Sequence, residues 1–385
     1  MQSIKVLNTD LQLLDEIDIY TSFDLKRSWQ GVGDFSLTVC GNNNSLKVGN
    51  IVMLSGNGHK SGIIRSINKV SDEKGITVTA TGQTLDGITS QRIVLPYESE
   101  ANGGYFGVPT PSAGGTASSE SIVKGFVSVS MDYAMNDSNR RFIGSNGKSI
   151  FKVAASQQRG IQTNWICRYT NLSEELRSIC EYCDCGYEIY IDFNERMFVF
   201  EYLSGVDRTT SQSENSRVIF SKEFESIDNV TYSIDFSSCK NLAYCGGTGE
   251  GSERTVLAVT PDTVKEIPTG FGRFETFIDC GTLESVETET AISLQEEGKH
   301  KLEEYDFAES LTATISQSGS FKYGEHWDLG DLVTISDKEL NLYQDMRISE
   351  VSESYEPDKC SISVTLGSVP KRLGRVIKNL KLPVK

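Results

Sequence analysis

Two stretches lying far apart in this chain carry one pattern, and it restricts the fold more than any other feature of the sequence. The earlier runs from Leu46 to Gly82 and the later from Trp327 to Gly367. In each, Gly followed by Asn or Asp (Gly49-Asn50, Gly330-Asp331) opens a short apolar strand that ends on Ser (Ser55, Ser336). A second strand follows after a turn, and a third ends on Gly. Alternation at period two gives each strand one buried face, so each stretch reads as a three-stranded meander. The likeness extends upstream, where Phe35 to Val39 precedes the first copy and Glu309 to Ala313 the second. A duplicated small antiparallel barrel is the natural inference, although two unrelated meanders share part of the same pattern.

The remaining segments fill in around these copies. Residues 4 to 20 read as a hairpin, Leu25 to Trp29 as a strand and Gln30 to Asp34 as a turn, giving six or seven strands before residue 95. Residues 98 to 119 are rich in Gly, Ser, Ala and Pro and read as an exposed excursion, followed by a helical stretch from Glu120 to Met135. Asn171 to Cys183 opens on a capping residue and places Leu172, Leu176, Ile179, Cys180 and Cys183 on one stripe, with Gly186 expected to stop the helix. Tyr187 to Asp192 and Met197 to Tyr202 form a hairpin on which it can pack. Strands return from Asn229, an acidic helix is expected from Glu284 to Asp306, and Pro370 to Lys385 carries Lys and Arg but no acid. The fold class expected is mainly β with an α+β middle portion: two small antiparallel barrels and a helix-hairpin domain.

A chain of 385 residues suits two to four domains. No run of eighteen apolar residues occurs, so no span and no stable membrane insertion is expected, and the N-terminus lacks the apolar core of a signal peptide. A net charge of -16 argues against a surface built to grip nucleic-acid phosphates. Nine cysteines at irregular spacing read as free thiols in a reducing compartment.

No catalytic, cofactor-binding or metal-binding residue emerges. Cys180, Cys183 and Cys185 are close enough in sequence to hold zinc, but a fourth ligand at matching spacing is missing, and buried structural thiols are the simpler reading. His59, His300 and His326 have no nucleophile beside them in a recognisable setting. Glu174-Glu175 and Glu303-Glu304 are helix neighbours that do not face one another. The run Gly246 to Gly251 lacks the Lys-Ser/Thr of a phosphate loop and reads as a hairpin turn.

At Gly205 to Asn215, followed by Val218 to Ser221, and with Gly249 to Arg254, Tyr323-Gly324, Leu329 to Val333 and the early Gly33 to Phe35, the chain resembles the siphovirus tail-hub proteins. These are similar to the N-terminal part of the tail-associated proteins of long-tailed phages. The resemblance implies a non-enzymatic homotrimer at the distal end of a tail, its barrels of tail-tube type, six in a ring, adapting a sixfold tube to a threefold tip. The parts expected are a first barrel over 1–95, the excursion and a small connecting domain over 96–160, a helix-hairpin domain over 161–228, a second barrel with an inserted helix over 229–370, and a basic tail over 371–385. It further implies a distal tail or tail tube protein and a tape measure protein as partners, with DNA passing through the channel without specific binding. Acidic residues would then keep phosphates from adhering, or serve solubility alone. Because the chain ends at Lys385, receptor binding or wall cleavage is expected of a separate spike, fibre or receptor-binding protein. Rival readings are a tail-associated peptidoglycan-degrading enzyme, or a carbohydrate-binding module using Tyr97, Tyr105 and Phe106. The basic tail is either a docking arm or a solvated terminus.

Overall fold

The structure is a computed structural model describing residues 2–73, 75–96, 104–110, 113–134, 137–261, 264, 266–281, 294–303, 305, 308–316 and 319–367. Its contacts divide into two compact units, one of residues 1–111, 115–230 and 313–364, the other mainly of 231–312. Mainly β structure, as expected, is present in both.

The first unit begins with seven strands: β1 (Ile4–Leu7), β2 (Leu13–Ile17), β3 (Ser22–Ser28), β4 (Asp34–Cys40), β5 (Ile51–Leu54), β6 (Ser61–Asp72) and β7 (Gly75–Thr84). They lie in the order β3-β4-β7-β6-β5-β1-β2, antiparallel throughout. The alternation of β4 buries Phe35, Leu37 and Val39. They join Ile4, Val6, Phe23, Leu25, Val52, Leu54, Ile64 and Val78 in one core, where each buried aliphatic or aromatic side chain contributes about 1.5–3 kcal/mol. β5 is apolar without alternation because both of its faces are covered. Val52 and Leu54 enter that core, while Ile51 and Met53 enter a second one.

The second core holds the helical layer. Helix α1 (Ser119–Val127) is capped by Ser118, and α2 (Leu172–Cys183) by Asn171, whose side chain accepts from the Ser173 N–H. The stripe Leu172, Leu176, Ile179, Cys180 and Cys183 is wholly buried, against a hairpin of β8 (Gly186–Asp192) and β9 (Met197–Leu203). Two expectations are corrected here. The helix does not end on Gly186 but on Asp184, in the left-handed region at φ 49°. The stretch 98–119 is not simply an exposed excursion: Phe106–Val108 pairs with Trp165–Cys167, and Phe106, 1% exposed, meets Phe126 edge-on at 4.7 Å.

The later copy supplies β10 (Ile219–Ser221), β11 (Leu332–Asp337), β12 (Leu342–Glu356) and β13 (Lys359–Gly367). Two more strands, Ile227–Asp235 and Ala308–Ile315, enter this unit at 227–230 and 313–315. The sheet order of the copy is 227–235, 308–315, β13, β12, β11, which repeats β3, β4, β7, β6, β5 element for element. In the first copy the turn at residues 29–33 joins the first two strands. In the second that connection is residues 236–307, most of the second unit. The register repeats as well: Val52 faces Gly62 and Val333 faces Met346. β12 also pairs along its second half with β3, from Glu350 opposite Ser28 to Tyr355 opposite Phe23, so one sheet runs through both copies. Among the described residues its pairings form an open path and close neither copy into a barrel.

The second unit holds a three-stranded sheet with Leu242–Gly246 in the centre, antiparallel to Val256–Val259 and parallel to Glu275–Asp279. Helix α3 (Leu294–Glu303) covers one face through Leu294 and Leu302. The rest of the helix expected over 284–306, apart from Tyr305, and the basic stretch 370–385 lie outside the described residues.

Candidate functional site: the corner and junction of the two copies

Each copy turns into its first strand at the same corner. Gly49 N–H donates to Ile64 O and Ile64 N–H to Asn50 O, both at 2.9 Å. Gly330 N–H donates to Ile348 O and Ile348 N–H to Asp331 O, again at 2.9 Å. Both glycines have positive φ, +93° and +87°, which a side chain disfavours. The Gly-Asx pair is therefore a backbone device, with the second residue opening the strand.

The copies then differ in what the Asx side chain does. Asn50 Nδ2 donates to Ser45 O at 2.7 Å. Asp331, 3% exposed, accepts from Arg208 Nε at 2.7 Å and from the Val206 and Asp328 N–H groups at 3.0 Å. It thereby fixes the 205–208 segment, whose sequence was singled out with Leu329 to Val333. Beside it Trp29, at the end of β3, is wedged among backbone: a Cβ on Gly330 would lie 2.0 Å from its ring and one on Gly186 2.6 Å. Arg347 stacks over that ring at 5.6 Å and ion-pairs with Asp184.

A charged junction ties β3, the 55–60 turn, β8 and the second copy together. Arg27 reaches Glu188 at 3.2 Å, the Tyr323 hydroxyl at 2.7 Å and Asp328 at 3.4 Å. His59 Nδ1 lies 3.1 Å from Glu188, its ring stacked on Tyr190 at 4.5 Å. Lys60 pairs with the buried Glu353 at 2.6 Å, and Glu353 also accepts from the Tyr355 hydroxyl. Asp86 is buried, accepting from the Ile189 N–H at 2.6 Å and from the Thr84 hydroxyl at 2.9 Å.

Asp86, Glu188 and His59 have perturbed acidities. Burial pushes Asp86 up to about 7 against the pull of its two hydrogen bonds, and the charge of Glu188 adds to the rise. Burial also acts upward on Glu188, but the hydrogen bond and charge of His59, with Arg27, hold it below its ordinary value. The same hydrogen bond raises His59. A neutral and an ionised carboxyl side by side superficially resemble an acid–base pair. Their partners, however, are protein groups, and the recess between them has roughly the volume of one water. Its chemistry is that of a clasp.

The other expected positions are dispersed. Cys180, Cys183 and Cys185 are buried, and no metal-binding cluster occurs among the described residues. His326 Nδ1 accepts from the Lys322 N–H at 3.1 Å, and His300 is lowered by burial on α3. Glu175 accepts from the Trp165 indole, whereas Glu303-Glu304 falls outside the described side chains. Gly246 to Gly251 is a turn between antiparallel strands. Sequence reasoning missed Arg27, Lys60, Asp86, Glu188 and Glu353; for Arg27, Glu188 and Glu353 a charge inside a strand's alternation was the available signal.

Residues 3–368 match the model of the family described as siphovirus ReqiPepy6 Gp37-like protein. None of the curated proteins matches the chain. Among solved structures the fold is similar to a tail protein from Neisseria meningitidis MC58 (TM-score 0.53, 11% identity, covering 95% of this chain and 96% of that one). It is similar also to a prophage MuSo2 43 kDa tail protein from Shewanella oneidensis (0.53, 12%, 94% and 98%) and to the prophage tail protein gp18 from Listeria monocytogenes EGD-e (0.50, 11%, 98% and 98%).

Proposed function

Because the chain belongs to the siphovirus Gp37-like family of phage tail proteins, and so is a component of the virion tail, we propose that it is the structural hub at the distal end of that tail. It works as a homotrimer without catalytic activity. Each copy of the meander is one tail-tube-type barrel, over 1–95 and 229–370. The helix-hairpin part over 161–228 braces them, and the parts 96–160 and 371–385 connect and dock. Three chains then present six similar barrels in a ring, matching a sixfold tube or distal-tail ring above and a threefold spike or fibre below. DNA passes through the ring past acidic walls that do not bind it, and the tape measure protein ends there.

The observation that carries this reading is the repeat itself. The two copies share strand order, register and the Gly-Asx corner bonds, while their side chains have diverged. A chain that must offer two equivalent surfaces to a sixfold neighbour needs that combination. Mass measurement of the purified chain, with symmetry-resolved imaging of assembled tail tips, tests it. Three chains per particle and six barrel densities around the axis are expected; a stable monomer absent from any threefold ring overturns the reading. Peptidoglycan turnover lost on changing one or two carboxylates would favour an enzyme instead.

A further inference from the structure

The junction between the two copies has a counterpart that the chain leaves open. In the second copy, β12 passes the corner at Ile348 and its next residues meet the first copy. The Trp29 N–H donates to Ser349 O at 2.9 Å, and pairing with β3 follows from Glu350 to Tyr355. In the first copy, β6 passes the same corner at Ile64 and runs on through residues 65–71. β7 pairs with that segment on one side, whereas on the other β5 reaches only Ser61 to Ile63. This second edge of 65–71 takes no strand among the described residues, and every side chain of the segment except Ile67 is exposed. The strand Ile227–Asp235, which holds the place of β3 in the second copy, stands at the end of the sheet path with one neighbour. One open edge therefore remains of each kind that β12 and β3 join internally.

Charge sorts these edges. At the internal junction Lys26 on β3 lies 3.8 Å from Glu350 on β12. The open edges carry the reverse arrangement. Residues 65–71 hold Arg65 and Lys69 and no acid, while Ile227–Asp235 holds Asp228 and Asp235 and no cation. All four side chains are exposed. An open strand edge is a template for pairing with another chain, and opposite charges across two strands stabilise the pair. We propose that residues 65–71 pair antiparallel with Ile227–Asp235 of a second copy of this chain, repeating between chains the junction that β12 and β3 make within one. The contact is head-to-tail, because each chain brings one edge of each sign, and such contacts close into a ring when the rotation between copies allows. The pairing rests on the hub reading, which supplies the neighbouring copy and the number three.

The test uses the full-length protein. Isotope-labelled and unlabelled chains are co-assembled in equal parts and treated with a carbodiimide, which joins an ammonium group to a carboxylate in contact with it. Mass spectrometry of the cross-linked peptides is expected to show Lys69 joined to Asp228 or Asp235 in mixed-isotope pairs. Mass measurement over a dilution series then gives the midpoint of association. R65E with K69E, and D228K with D235K, are each expected to raise that midpoint about tenfold, and the four changes together to bring it back toward wild type. Circular dichroism checks that each variant is folded, and the wild-type links stand independently of the variants. A wild-type trimer that yields no such link, or only same-isotope links, overturns the strand pairing and leaves the hub reading standing. So does a trimer that a folded R65E, K69E variant forms as readily as wild type. A wild-type chain that stays monomeric at every concentration overturns both.

Discussion

The ring of Trp29 occupies the space into which a Cβ on Gly330 would project, 2.0 Å from its edge. At the equivalent corner of the other copy, a Cβ on Gly49 would meet nothing within 4 Å. Both residues have positive φ, so Gly→Ala strains the backbone at each by about 1–2 kcal/mol. Only at Gly330 must an indole also move. G49A is expected to lower stability by about 1 kcal/mol and G330A by more than about 3 kcal/mol. Urea unfolding of both variants checks this, and equal losses would show that the wedge carries no weight.

Asp331 is the side chain that makes the later corner specific. D331A leaves the Arg208 guanidinium without its carboxylate and two backbone N–H groups without an acceptor. A loss of about 3–5 kcal/mol is expected. N50A removes one neutral hydrogen bond and should cost about 1 kcal/mol. Because the partners of Asp331 lie in the 206–208 segment, amide exchange there should rise in D331A, while exchange over β5 and β6 stays as in wild type.

Stability should fall as pH rises from about 5 to 8. An Asp86 raised to about 7 in the folded chain binds its proton more tightly than in the unfolded one, so ionising it through that range weakens the fold. His59, also raised, has the same sign: its contribution is complete below its unfolded value and fades as pH climbs through the folded one. Glu188, lowered, acts oppositely, its contribution fading only in acid. In D86N the pH slope between 5 and 8 should flatten, leaving the part due to His59. Chemical denaturation at a series of pH values measures the slope, and a D86N slope as steep as wild type would remove Asp86 from the account.

Strands and helices were legible wherever one face is buried and the other wet. β4, the α2 stripe and the β8–β9 hairpin are examples, and the repeat showed because its Gly-Asx corner is a backbone need that leaves few residue choices. What stayed illegible depends on distant neighbours. Gly186 reads as a helix stop by its own chemistry, yet it is a glycine because Trp29, far away in sequence, leans on it. Phe106 sits in a Gly- and Pro-rich stretch that reads as exposed, and only the pairing with Trp165–Cys167 brings it inside. The Arg27 junction joins residues from four separate segments, so spacing along the chain carries no trace of it.

Inside the helical layer, Glu120 is fully buried between Lys124 at 2.7 Å and Arg159 at 2.9 Å, and both cations also reach Glu201. Burial alone would raise the Glu120 pKa, but the hydrogen bonds from Arg159 and Lys124 hold it well below the usual carboxylate range. E120A leaves Glu201 alone to face both cations, and a loss of about 3–5 kcal/mol is expected. K124M with E120L, which removes charge on both sides, should recover part of it. Failure of the double variant to exceed E120A in thermal unfolding would locate the cost in packing rather than in the surplus positive charge.

Phe106 decides whether the stretch around it is a ligand platform or part of the fold. Its ring is buried against Phe126, whereas the neighbouring Tyr105 ring lies under the Arg168 guanidinium at 4.6 Å. F106A should cost about 3–5 kcal/mol, the range for removing a buried aromatic ring. Y105A forfeits one cation–π contact and should cost about 0.5–1 kcal/mol. A surface that binds glycan through these aromatics would instead lose saturable binding in Y105A with the fold intact, and F106A would leave stability near wild type. Parallel unfolding and glycan-binding measurements on the two variants separate the outcomes: core and surface chemistry place the large effect on opposite residues.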